Sequence, residues 1–148
     1  MKLSFNSQNN LHQTVKLTSK EFHQHFGANP ERRQQIANAL PIFRIFYRFG
    51  CTKVYIGGSF VSKKKYPEDI DICFDVTLVD IEKLKREFPQ FFDPNEIGKI
   101  HKTLKCHIFY FTKEHKRLLH LLEEDRDGNP KGLVGLSLKD ILTHYDQK

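Results

Sequence analysis

Between Asp69 and Val76 the chain alternates strictly: Ile70, Ile72, Phe74 and Val76 are apolar, and Asp69, Asp71, Cys73 and Asp75 stand between them. Successive side chains on a strand point to opposite faces. This segment is therefore predicted to be a strand whose apolar face packs on helices, with Asp69 and Asp71 together on the other face, their Cα atoms about 6.6 Å apart. Upstream, Thr52 to Ile56 is rich in strand formers and runs straight into Gly57-Gly58, which marks a second strand ending in a tight turn. Ser59 follows the turn, and Asp69 lies ten residues beyond it.

The rest of the chain supplies covering elements. Residues 1–17 are polar and aperiodic and read as an extended or loosely packed arm. Thr18 and Glu21 have capping-box spacing, Phe22 and Phe26 lie on one helical face, and Gly27 is placed to end this helix in a left-handed conformation. Asn29-Pro30 restarts a helix that Pro41 is expected to kink or split and Gly50 to close. Asp80 caps a helix reaching about Phe88. Pro89 to Lys102 reads as a loop with a short helical turn near Asn95–Lys99. A third strand is expected over Thr103–Phe111, then a helix burying Leu118, Leu119, Leu121 and Leu122. After the turn Asp127-Gly128-Asn129-Pro130 come a short strand near Leu133–Leu138 and a last helical turn. The order predicts one α+β domain over residues 1–148, with a small mixed sheet flanked by helices.

A chain of 148 residues forms one core without help from a second domain. No apolar run approaches the roughly 20 residues of a membrane span, and the start lacks a signal-like stretch, so the expected location is cytoplasmic, with no membrane partner. Cys51, Cys73 and Cys106 are odd in number and widely spaced, which suits buried thiols better than disulfides or a zinc site. The net charge of +6 favours a polyanionic partner such as a nucleoside triphosphate, an RNA or an acidic protein.

The glycines at 57 and 58 let the backbone approach phosphate oxygens where a side chain would collide. Ser59 sits where a helix can begin, so its hydroxyl and the following amides would face a phosphate. Asp69 and Asp71 are spaced to converge on a hard divalent cation that also binds the phosphates. Lys63, Lys64 and Lys65, in the spacer, suit a grip on a triphosphate or a nucleic-acid backbone, and equally a solvated loop.

On these residues the chain resembles the DNA polymerase β-type nucleotidyltransferases, whose hallmark is Gly-Gly or Gly-Ser, a spacer of about ten residues, and Asp-x-Asp within a strand. The likeness is closer still to a group of bacterial proteins of this fold that share Gly-Ser-Phe-Val, a Lys, and Pro-x-Asp-Ile-Asp. The matching residues here are Gly58-Ser59-Phe60-Val61, Lys63 and Pro67-Glu68-Asp69-Ile70-Asp71, with Arg32-Arg33 and Lys131-Gly132 extending the likeness. The resemblance implies a nucleotidyltransferase fold, Gly57, Gly58 and Ser59 at the nucleotide phosphates with Lys63 and Lys65 nearby, and Asp69 and Asp71 as ligands to Mg²⁺ or Mn²⁺. It also implies a nucleoside triphosphate, ATP among them, as substrate and a hydroxyl on protein or RNA as acceptor.

Catalysing members of that superfamily commonly carry a third carboxylate on the next core strand. Here that strand reads Lys105-Cys106-His107-Ile108-Phe109-Tyr110-Phe111, with His107 as its only candidate. A histidine there either joins the site as a proton acceptor or metal ligand, or is a hydrogen-bonded core residue. Two functions stay open: metal-dependent nucleotidyl transfer with an incomplete carboxylate triad, or a catalytically impaired relative that binds a nucleotide or a partner. The resemblance associates the latter with toxin–antitoxin or defence systems.

Overall fold

The computed structural model describes residues 2–146. Five strands form one mixed sheet: β1 (Val15–Lys16), β2 (Lys53–Gly57), β3 (Ile70–Asp75), β4 (Cys106–Phe111) and β5 (Val134–Ser137). Their order is β1-β5-β2-β3-β4. β2 runs antiparallel to both β3 and β5, while β3–β4 and β1–β5 are parallel. The helices are α1 (Ser19–Phe26), α2 (Pro30–Arg48), α3 (Ile81–Glu87), α4 (Pro94–Leu104), α5 (Arg117–Leu122) and α6 (Leu138–Asp146). This is the α+β class with a small mixed sheet that the sequence predicts.

The alternation of β3 plays out as expected on one face: Ile70, Ile72 and Phe74 are buried, and the Phe74 ring stacks on Phe46 of α2 at 3.8 Å between centroids. The opposite face is also partly covered. Cys73 is buried there with Phe111, Leu119 and Leu133, beneath α5 and the segment before β5. Asp71 therefore stands at the rim of a covered patch, not on a fully solvated face.

Several local expectations hold for the reasons given. Thr18 and Glu21 form the reciprocal capping box, Asn29 caps α2 with Pro30 in its first turn, and Asp80 caps α3. The three cysteines are buried and free, and burial pushes their thiols up to about 12. Others need correction. Gly27 ends α1 at φ −110°, outside the left-handed region. Pro41 neither splits nor ends α2, which runs unbroken because Ala39, Leu40, Ile42 and Phe43 around it are all buried and outweigh one missing hydrogen bond. Of the leucines at 118–122 only Leu119 is buried, and Leu121 is 63% exposed. The segment from Pro94 to Leu104 is a full helix, capped by Asp93 and closed by Lys105 at φ +58°.

The arm is packed rather than loose. Leu11 is buried, Phe5 bridges to Leu11, Asn10 bridges to Ser62, and Val15–Lys16 becomes the parallel edge strand beside β5. Gly132 makes this possible, because a Cβ there would stand 2.2 Å from the Gln13 carbonyl oxygen.

Arg32 ties these parts together. It is 6% exposed, and its guanidinium donates to the carbonyls of Phe26, Phe60, Ser62 and Lys64 while lying beside the Phe26 and Phe60 rings. One planar fork thus joins the α1–α2 junction to the loop after β2. Arg32→Ala is expected to lower stability by about 3 kcal/mol, since buried carbonyls lose charge-assisted partners. Arg32→Lys should recover little of it. Urea denaturation of the three proteins measures this, and an unchanged midpoint in either variant would refute the role given to Arg32.

Candidate functional site

β2 and β3 bring the two halves of the motif together. Gly57 pairs with Asp71 in the antiparallel register. The chain then turns at Gly58, whose φ of +72° is left-handed and costs an L-residue about 1–2 kcal/mol. The approach is as restrictive as the angle: a Cβ on Gly58 would lie 2.6 Å from Asp71 Oδ2. Gly58 to Val61 forms a single 3₁₀ turn, not the α-helix expected to begin at Ser59, so no long helix dipole points at the site. No side chain caps the start of this turn. Ser59 is half-exposed there, next to the Gly58–Asp71 contact.

β4 lies parallel to β3 with His107 directly opposite Asp71. His107 Nδ1 is 3.7 Å from Asp71 Oδ1, and the side chain is 39% exposed. It therefore belongs to the site face and is no core histidine. Ile108, its neighbour, takes the core direction. A second histidine joins it. His101 of α4 places Nε2 2.9 Å from Asp69 Oδ2, and the His101 and His107 rings stack at 4.5 Å between centroids, 8° from parallel. The sequence reading missed His101 because it assigned most of α4 to a loop. The Asp93-Pro94 pair, which caps α4 as Asn29-Pro30 begins α2, was the available signal.

The electrostatics centre on Asp71. Burial raises its carboxyl above the ordinary value of 3.8, and the charge of Asp69 raises it further; His107, Lys131 and His101 oppose this with smaller effects. Lys131 thus acts on the site, as the Lys131-Gly132 likeness suggested. Lys63 and Lys65 do not join the carboxylates. Their ammonium groups lie 5.3 Å from the Phe5 and Tyr66 ring centroids, and with Lys64 they line a different groove, bordered by Asn29 and Arg32. A slot of about 10 Å³, room for one water, lies below Asp71 between Gly58, Tyr55, Leu122 and Leu133.

These features define an α+β domain with an acidic pair, two histidines and a glycine turn gathered at one end of a mixed sheet. Residues 3–137 match a family of unknown function, DUF6932, and the chain belongs to that family. No curated protein and no solved structure matches it.

Two predictions follow from the Gly58–Asp71 contact and from the state of Asp71. Gly58→Ala should cost more stability than Gly128→Ala. Both positions have positive φ and share the backbone strain of about 1–2 kcal/mol, but Gly128 has open space where Gly58 has Asp71. Equal losses in thermal melts would mean that Asp71 yields freely. As to pH, a carboxyl raised in the folded state holds its proton more tightly there than in the unfolded chain. Its contribution to stability therefore declines as pH rises from near 3.8 through the raised value, and the full cost is present at neutral pH. Without added metal, Asp71→Asn should melt higher than wild type at pH 7, with the gap closing towards pH 4. A gap that widens on acidification would reverse the assignment.

Proposed function

We propose that this protein is a metal-dependent nucleotidyltransferase-like domain that binds a nucleoside triphosphate and transfers its nucleotidyl group to a hydroxyl on protein or RNA. The observation that carries the reading is the contact between the Gly58 turn and Asp71, which sets an uncapped backbone turn against a paired carboxylate. The space beside Gly57 and Gly58 is taken by Leu133 and Asp71, so phosphate oxygens would be met at Ser59, whose hydroxyl supplies a donor next to the turn.

The donor set suits a hard divalent cation. Asp69 and Asp71 supply oxygen ligands, and the carboxyl of Asp71, raised first by burial and then by the charge of Asp69, is one that a bound cation would help to ionise. Among the described residues no group of three or more His, Cys, Asp or Glu side chains is arranged to hold a metal. The remaining ligands would come from the triphosphate and water. When bound, Mg²⁺ or Mn²⁺ would supply charge neutralisation at the phosphates and acidify the attacking hydroxyl. The reaction balances as attack of the acceptor oxygen on the α-phosphorus, breakage of its bond to the β-phosphate bridging oxygen, and departure of pyrophosphate. His107 Nδ1, beside Asp71, is the group placed to receive the hydroxyl proton.

One observation favours the second reading, a catalytically impaired relative that binds a nucleotide or a partner, as in toxin–antitoxin or defence systems. β4 carries no Asp or Glu, and His107 stands opposite Asp71, where the resemblance calls for a third carboxylate. An imidazole lacks the negative charge that Mg²⁺ prefers. Incubation with each labelled nucleoside triphosphate, Mg²⁺ or Mn²⁺ and a cell lysate separates the two: label on protein or RNA supports transfer, and binding without label supports the second reading. In titration calorimetry, metal is expected to strengthen triphosphate binding at least about tenfold, and the Asp69→Asn, Asp71→Asn double variant should lose this gain. Equal metal dependence in both proteins would move the site elsewhere.

A further inference from the structure

The three consecutive lysines form no ion pair with Asp69 or Asp71, yet the fold fixes the backbone of their loop. Every peptide of their loop is anchored. The Lys63 amide donates to Asn9, the Lys64 amide to Ser62 Oγ, the Lys64 carbonyl accepts from Arg32, and the Lys65 carbonyl accepts from the Asn29 side chain. The side chains, by contrast, are exposed, and among the described residues none of the three is paired with a carboxylate. A rigid backbone presenting unneutralised ammonium groups is a preorganised anion surface.

The groove these lysines line, about 320 Å³, has no acidic residue in its walls. It does have aromatic surface. Phe5 lines it beneath the Lys63 ammonium, and beyond its walls Tyr66, next to Lys65 in the chain, is 53% exposed. Charge alone would serve any polyanion, but lysines set over ring faces, with Tyr66 half in solvent, suit a chain that alternates phosphates with flat bases. Position supplies the last element. Ser59 to Lys63 and Lys65 to Asp69 are each four residues, at most about 14 Å of chain, so a strand held by the lysines is within reach of both the glycine turn and the acidic pair.

We infer that the Lys63–Lys65 groove, with Phe5 and Tyr66, is the docking surface for a single-stranded nucleic acid that leads to the Asp69–Asp71 site. This rests on the transfer reading only in naming the acceptor; the binding itself needs neither metal nor nucleoside triphosphate. An acidic protein would use the lysines but gain nothing from the rings.

The test is fluorescence anisotropy with labelled RNA and DNA oligonucleotides of about ten nucleotides, without metal or triphosphate, across a salt series. Wild type should bind RNA with strong salt dependence, and the DNA of the same sequence shows whether the 2′-hydroxyl contributes. Lys63→Gln, Lys64→Gln, Lys65→Gln together should weaken binding at least about tenfold and reduce the salt slope by about 2, at roughly 0.7 per lost contact on a single strand. The melting temperature should stay within about 2 °C, as no ion pair is removed. Tyr66→Ala should weaken binding about tenfold with the slope unchanged. Unaltered binding in the triple variant overturns the proposal. So does wild type binding neither strand, or binding poly-glutamate as tightly as RNA with no effect of Tyr66→Ala. The Asp69→Asn, Asp71→Asn variant should bind the strand undiminished. If it does, and wild type labels nothing, the transfer reading fails while the groove stands.

Discussion

A single buried guanidinium organises this fold. Arg32 is surrounded by carbonyls and aromatic rings instead of carboxylates, and burial lowers its affinity for its proton without removing its charge. Two segments converge on that charge through four carbonyls: the end of α1 at Phe26, and the loop after β2 at Phe60, Ser62 and Lys64. Because Arg32 lies 28 to 32 residues before the carbonyls of Phe60, Ser62 and Lys64, no local propensity sets the path of residues 58–65. That path depends on one planar donor set, and through it the glycine turn and the basic groove are built on the same anchor.

The acidic pair is held by a different kind of constraint. A β-ladder register places Gly57 and His107 on either side of Asp71, and the close approach of Gly58 leaves Asp71 little room. The consequence is a carboxyl kept partly desolvated next to another carboxyl. Such a site is a cost to the folded chain until something positive shares it, which is the usual relation between stability and function at a binding centre. His101, His107 and Lys131 offset part of this cost, and the stack of the two imidazoles joins α4 to the start of β4.

Legibility in the sequence followed the range of the interactions. Asn29-Pro30, the Thr18–Glu21 box and the alternation of β3 are local, and each was readable. Pro41 was misread because burial of neighbouring apolar residues decides whether a breaker breaks, whereas Gly27 ends α1 as expected but at φ −110°. The N-terminal arm looked loose because its partners, β5 and Gly132, lie more than a hundred residues away. His101 escaped because α4 was read mostly as a loop, although Ile97, Ile100 and Leu104 stand at helical spacing along it and are partly buried.

By itself the sequence determined that Asp69 and Asp71 share one strand face and that a glycine turn follows the strand before them, since period-two alternation and positive-φ chemistry are written in adjacent residues. Only the tertiary structure decided that His107 faces this pair, that His101 and Lys131 complete it, and that Lys63–Lys65 are turned into a separate groove. The difference is physical. Side-chain alternation and turn geometry depend on neighbours in the chain, whereas the company a carboxylate keeps depends on register between strands and on helix packing, which no short stretch of residues encodes.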